Sequence, residues 1–235
     1  MAQPKYARVL LKISGEALAD QSGYGISEQS IDNLVCQLKE VVALGVQVGI
    51  VVGGGNIWRG RQSDVMDKVT CDHMGMLATV INALALQSHL EMAGVPAMVQ
   101  SAVKIEQVAE TLVVKKAIKH LQNGCIVIFA GGTGSPFFTT DTAAALRAAE
   151  IKADCMLCAK ASDGIYDSDP VLNTNAVRFD RISYMEVINR NLQAMDVTAI
   201  SICKENHIPV LVFGKHDKHG IINAVTGEKV GTIIE

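Results

Sequence analysis

Residues 51–60 read VVGGGNIWRG: two β-branched residues, three glycines, then a tryptophan and an arginine. Glycine gives up side-chain packing and loses more backbone freedom on folding than any other residue, so three in a row need a reason. The valines close an unbroken apolar run, Val46 to Val52, of the kind expected of a strand covered on both faces. Glycines at such a strand end let successive main-chain N–H groups come close to an anion, and Arg59 adds charge. The stretch therefore predicts a parallel α/β sheet with a phosphate site beyond its strand tips. The plainer alternative is a tight strand-to-loop turn with Arg59 solvated.

Working outward, further strand-like runs are Val9 to Ile13, Ala97 to Val99, Ile126 to Phe129, Cys155 to Ala159, Pro209 to Phe213 and Thr232 to Ile234. Most are unbroken rather than alternating. Helical spacing fills the intervals. Ser27 reads as an N-cap, Ile31, Leu34, Val35, Leu38, Val41 and Val42 recur at i, i+3, i+4, i+7, and Gly45 ends the helix. Asp72 reads as the start of a second helix that runs to Gly94. Others are expected at Gln107 to Gln122, Thr140 to Ile151, Ser183 to Asn189, Asp196 to Asn206 and His219 to Thr226. Strands alternating with helices predict a three-layer α/β sandwich, a mostly parallel central sheet covered by helices on both faces. With no internal repeat or low-complexity linker, residues 1–235 read as a single domain.

The composition agrees: 49% hydrophobic and 19% charged residues suit a chain that buries a full core without staples. A net charge of −3, with no basic arm, argues against nucleic acid. No uninterrupted apolar run reaches membrane-spanning length, and the first residues lack a signal-peptide core, so a cytoplasmic protein without a membrane partner is expected. Six scattered cysteines suit a reducing compartment. Cys155 and Cys158 have CxxC spacing, but a strand would turn their sulfurs to opposite faces, and no metal site is assigned. His216 and His219 read as solvated loop residues.

In an open parallel sheet, ligands gather beyond the carboxyl ends of the strands. Three loops there carry phosphate-binding residue types. LLKISGEAL, residues 10–18, delivers Lys12 from a strand, followed by Ser14 and Gly15. Gly53, Gly54 and Gly55 with Arg59 form the second. AGGTGSPFFTTDTAA, residues 130–144, enters a helix near Thr140 or Asp141, whose N-terminus adds about half a positive charge. No GxxxxGK[ST] is present, and Trp58 stands where a GxGxxG would need its last glycine. Two distinct glycine-rich sites are what a reaction between two phosphorylated ligands requires. Such a transfer needs positioning and charge neutralisation more than covalent chemistry. Lys12 suits the moving phosphoryl group, with Asp141 or Asp196 holding cations in place or positioning a metal-bound nucleotide; Asp141 also fits an ordinary helix cap.

At these residues the chain resembles the bacterial uridylate kinases of the amino acid kinase superfamily, from about residue 7 to the C-terminus. LLKISGEAL, VVGGGNIWRG, CDHMGMLATVINALAL (71–86), GTGSPFFTTDTAAALRAAE (132–150), DGIYDSDP (163–170) and MDVTAI (195–200) carry the likeness. The resemblance implies phosphorylation of UMP to UDP by ATP with Mg2+, in a homohexamer controlled by GTP and UTP. It implies an ATP site at Lys12, Ser14, Gly15, Gly55 and Arg59, with Tyr166 and Asp169 on the adenosine side. It implies a UMP site at Gly54, Asp72 and the run Thr133, Gly134, Ser135, Pro136, Phe137, Phe138, Thr139 and Thr140. Lys12, Asp141 and Asp196 match catalytic or organising positions. Asp72 either faces a ribose hydroxyl or only caps its helix.

The chain departs from the family just before DGIY. Where the family shows KATKVDG or KNNVDG, residues 159–164 read AKASDG. Lys160, placed on the ATP side, either contacts phosphate or is a solvated loop lysine. Trp58 reads as apolar packing in preference to a cover for a base. The stripe Met74, Leu77, Ile81, Leu84 and Leu86 suggests a helix buried on more than one side, a subunit interface included. Rival readings are another acceptor within the superfamily, a nucleotide sensor without turnover, and a dinucleotide-dependent oxidoreductase.

Overall fold

A computed structural model describes residues 3–59, 65–192, 194–215, 217 and 219–235. Gly60, which closes the opening stretch, and His216 lie outside the described residues. The strands are β1 Arg8–Ile13, β2 Gln47–Val52, β3 Ala97–Ser101, β4 Glu110–Thr111, β5 Ile126–Ala130, β6 Cys155–Lys160, β7 Arg181–Ile182, β8 Val210–Gly214 and β9 Thr232–Ile234. They form one sheet in the order β4-β3-β5-β2-β1-β6-β8-β9-β7. Pairing is parallel except between β8 and β9.

The helices are α1 Glu28–Ala43, α2 Lys68–Met92, α3 Val114–Gln122, α4 Thr140–Glu150, α5 Tyr184–Asn189, α6 Val197–Glu205 and α7 Gly220–Thr226. Side-chain alternation along the strands divides the core in two. Val9, Leu11 and Ile13 of β1 pack with α1, α2 and α7, whereas Leu10 packs on the other face with α3, α4, α5 and α6. The unbroken apolar runs follow from this: both faces of the central strands are dry. Cys155 and Cys158 fall in opposite halves of the core, as the parity of a strand requires.

Two expectations change. The helix read from Gln107 begins only at Val114, because Glu110 and Thr111 pair with Gln100 and Ser101 on the outer edge of β3. The fully buried Gln100 holds this edge, donating to Glu110 Oε2 at 2.6 Å. Long-range pairing outweighs local periodicity here. The second helix begins at Lys68, not at Asp72; its N-cap is Asp67, which accepts from the Thr70 N–H at 3.0 Å. Asp72 thus sits in the second turn and caps nothing. By length and composition α2 is apolar enough to cross a membrane. In this fold it packs against α1, β2, β3 and β5 and buries Cys71, Met76, Val80, Ala83, Leu86 and Leu90.

Candidate active site

Lys12 and Lys160 reach one place because of strand parity. Lys12 is on the central strand β1 and lies on the same face as Leu10; Lys160 ends the neighbouring β6 on the same face as Met156 and Cys158. That face carries α4, whose first turn holds Asp141. Lys12 Nζ pairs with Asp141 Oδ1 at 2.7 Å and Lys160 Nζ with Asp141 Oδ2 at 3.2 Å. The Lys12 and Asp141 side chains are only 11% and 15% exposed. Lys160 also donates to the Ala194 carbonyl, so it is not a solvated loop lysine.

Burial works against both charges, yet the pairing prevails. The neighbouring Asp141 carboxylate raises the Lys12 pKa, and the two ammonium groups hold the Asp141 carboxyl below the usual range. Both ammonium groups converge on this one carboxylate beside the strand tips, and the Asp196 charge also acts on Lys12.

Asp196 does not touch either lysine but fixes the helix that bears Asp141. It caps α6 by accepting from the Ala199 N–H at 2.9 Å, and it accepts from the hydroxyls of Thr139 and Thr142. Thr139 in turn caps α4, accepting from the N–H groups of Asp141 and Thr142. The cap role once open to Asp141 belongs to Thr139.

The three glycine loops converge beside this cluster, though the glycines serve different ends. A Cβ on Gly53 would lie 3.0 Å from the Gly15 nitrogen and 3.6 Å from Thr140 Oγ1, so the three loops meet there. The Gly53 N–H is already engaged by the Ile13 carbonyl at 3.0 Å. A Cβ on Gly54 would sit 2.7 Å from the Gly75 carbonyl and 2.8 Å from Ala78 Cβ, which makes it a packing glycine against α2. At Gly55 a Cβ meets none of the described residues within 4 Å. Of the three, only Gly55 is clear of the described residues.

Ser14 leads into a 3-10 turn, Gly15–Leu18, in which a Gly15 Cβ would strike Asn56 Oδ1 at 2.3 Å. Arg59 lies across this turn, bonded to the Gly55 carbonyl at 2.9 Å, paired with Glu16 and stacked 5.8 Å from the Tyr24 ring centre. Trp58 packs with its Nε1–H on the Cys71 carbonyl at 3.1 Å.

On the other flank, Thr133, Gly134, Ser135, Pro136, Phe137 and Phe138 form a loop ahead of α4. Thr133 Oγ1 donates to the Ser135 carbonyl at 3.0 Å. Phe137 takes a φ of 71°, a left-handed conformation unusual for a non-glycine residue, and its N–H donates to Asp72 Oδ2 at 2.7 Å. Lys68 holds the other Asp72 oxygen at 2.6 Å. The Phe137 and Phe138 side chains are exposed.

A cleft of about 420 Å³ opens on the far side of Lys160, lined also by Tyr166, Asp169, Leu192, Ala194 and Val212. Lys160 belongs both to its wall and to the Asp141 cluster. Sequence reasoning found the charged residues here but missed the buried amide pair Asn56 and Asn82, which lies under the glycine loops. The signal was present: an asparagine in the middle of an apolar helix needs a partner.

A mostly parallel sheet whose central strand tips hold two lysines on one buried carboxylate, ringed by glycine loops, defines an α/β protein built for anionic ligands. Residues 7–214 match the model of the Amino acid kinase family, and the chain belongs to that family. Among solved structures it is similar to the UMP kinase from Bacillus anthracis, with a TM-score of 0.95 and 38% identity over 98% of this chain and 96% of that one. The UMP kinase from Ureaplasma parvum gives 0.93 and 37%, over 98% and 99%. The uridylate kinase from Archaeoglobus fulgidus gives 0.73 and 30%, over 97% and 99%.

Proposed function

We propose that this chain transfers the γ-phosphoryl group of ATP to UMP, giving ADP and UDP, a step of pyrimidine nucleotide biosynthesis. The observation that carries the reading is the Lys12–Asp141–Lys160 cluster at the strand tips. In the reaction an oxygen of the UMP phosphate bonds to the γ-phosphorus while the bond to the β,γ-bridging oxygen breaks, and ADP leaves with that electron pair. The protein's task is to align the two ends and neutralise charge on the moving group.

Lys12 is the residue for that group, with Lys160 beside it on the ATP side. Asp141 orients both ammonium groups, and Asp196 acts through Thr139 and Thr142 to hold Asp141 in place. Ser14, Gly15, Gly55 and Arg59 serve the ATP phosphates, the open space at Gly55 favouring close approach. Arg59 would exchange Glu16 for phosphate. The cleft beside Tyr166 and Asp169 suits the adenosine end. Asp72 and the run from Thr133 to Thr140 serve UMP, and Gly54, whose Cα face packs on α2, brings only its main chain to the same side. Since Asp72 caps no helix, its carboxylate is available for a ribose hydroxyl once Phe137 yields its place.

Mg2+ enters as part of the nucleotide substrate, where it neutralises phosphate charge. Among the described residues there is no cluster of three potential protein ligands, and Asp141 is engaged by two lysines. This fits an ion held chiefly by substrate phosphates. The reading takes residues 1–235 as one domain in a homohexamer. The half-exposed Leu77 and Ile81 on α2 support assembly, and a monomeric elution on sizing would contradict it. Control by GTP and UTP rests on the family resemblance, and a cytoplasmic setting on the six unpaired cysteines.

A coupled assay of ADP release across nucleoside monophosphates, carboxylates and carbamate tests the function. Release that depends on UMP is expected. Release with a carboxylate acceptor and none with UMP would move the chain to another activity of the family, and no release with any acceptor would favour a sensor.

A further inference from the structure

The buried face of α2 is apolar except for two side chains, Thr79 at 6% and Asn82 at 0% exposure. Three residues apart, they share one side of the helix. Asn82 Nδ2 donates to the Gly53 carbonyl and to Asn56 Oδ1, both at 2.7 Å. Asn56 returns the bond to Asn82 Oδ1 at 3.0 Å and reaches the Gly25 carbonyl at 2.6 Å. Through Asn56, whose Oδ1 lies against Gly15, this network supports the loops read as the ATP side.

One turn earlier, Thr79 Oγ1 accepts from the Gly131 N–H at 2.8 Å while donating to the Met76 carbonyl at 2.6 Å. Gly131 has a φ of +77° and opens the loop that runs to Thr140, the UMP side. A Cβ there would meet the Val103 nitrogen at 2.9 Å, so the loop start packs closely on the chain after β3 and tolerates no side chain. A single helix face therefore hydrogen-bonds both loops. Packing alone would be served by valine and leucine, without the desolvation that buried hydroxyl and amide groups incur.

We propose that Thr79 and Asn82 are positioning residues that set the separation between the two phosphate loops, acting through Gly131 and through Gly53 and Asn56 without touching either nucleotide. The proposal rests on the reading of the site as one where two phosphorylated ligands meet. Each loop keeps its own contacts to its own ligand when the clasp is broken, so binding survives. The distance between the reacting atoms is what shifts, and a misplacement of about 1 Å lowers the rate by roughly 10²-fold.

The test replaces Thr79 by valine, cysteine and serine in the full chain, with kcat, KM for ATP and UMP, and folding by circular dichroism measured well below each variant's Tm. Valine keeps the shape without the acceptor, serine keeps the acceptor without the methyl, and cysteine matches serine in shape with a weak acceptor. T79V and T79C are expected to lose roughly 10- to 100-fold in kcat with each KM within about threefold of wild type, and T79S to recover most of the rate. A packing role gives the reverse order, valine above serine. If T79V does not fold, the T79S and T79C pair decides.

The proposal is overturned if folded T79V or T79C keeps wild-type kcat, if the loss appears in KM alone, or if kcat falls only as the folded fraction falls. Wild-type protein that phosphorylates no UMP would defeat the functional reading, whereas active wild type with fully active variants would defeat the clasp alone.

Discussion

Asp141 is the residue on which the charges of the site depend. Burial raises a carboxyl pKa and lowers an ammonium pKa, yet at Lys12 and Asp141 both shifts run the other way because each faces the opposite charge. A depressed carboxyl pKa contributes stability above its unfolded value near 3.9, and that contribution is lost as the pH falls through the folded value. A raised lysine pKa contributes fully below about 10.4 and is lost as the pH rises through its folded value. The pair should thus stabilise the fold evenly from about pH 5 to pH 9. Asp141→Asn removes the carboxylate that Lys12 and Lys160 share, leaving the largely buried Lys12 only the more distant Asp196 charge, and should destabilise by up to roughly 3–5 kcal/mol at pH 7. Urea titrations at pH 7 and across the acid range check this. The variant should show a flatter acid limb than wild type, and an unchanged limb would remove the coupling.

Among the elements, the glycine loops separate packing from ligand approach. Gly54 lies against α2, so Gly54→Ala has to displace that helix and should destabilise by about 1–3 kcal/mol. Gly55 faces open space, so Gly55→Ala should leave Tm within a few degrees and raise KM for ATP. Thermal unfolding with steady-state kinetics on the two variants decides; equal loss of stability in both would contradict the assignment. This pair also marks what the sequence disclosed. A strand followed by three glycines pointed to a strand tip where three loops converge, but Gly53, Gly54 and Gly55 are alike in sequence and differ only in what lies beside them. The start of α2 was misread because Asp67 and Asp72 are equally good caps on paper, and only the turn that Thr70 completes chooses between them. Strands β4 and β7, two residues each, carry no periodicity to read. The Ser27 cap and the closing Gly45 were legible because a cap is a local event, and the helices read from Ser183 and Asp196 begin one residue later, with those two residues as their caps.

For the whole molecule, the sheet order puts β1 between β2 and β6, so that loops distant in sequence end on adjacent strand tips. Alternating apolar runs and helical spacing made that layering predictable. The partnership of Lys12 with Lys160 was not, since their convergence on Asp141 depends on the face of each strand and on the angle of α4. The Asn56 and Asn82 pair escaped for the same reason: it joins a loop and a helix whose contact arises only on folding. On the proposed reading, two anions meet end to end over the central strands, with the lysine of β1 at their meeting point. The direct test compares UMP-dependent ADP release by wild type and Lys12→Ala, with UMP affinity measured by calorimetry. The account predicts a loss of at least roughly 10²–10³-fold in kcat with UMP affinity changed by less than about threefold. A variant that keeps its turnover, or loses UMP affinity as steeply as rate, would contradict it.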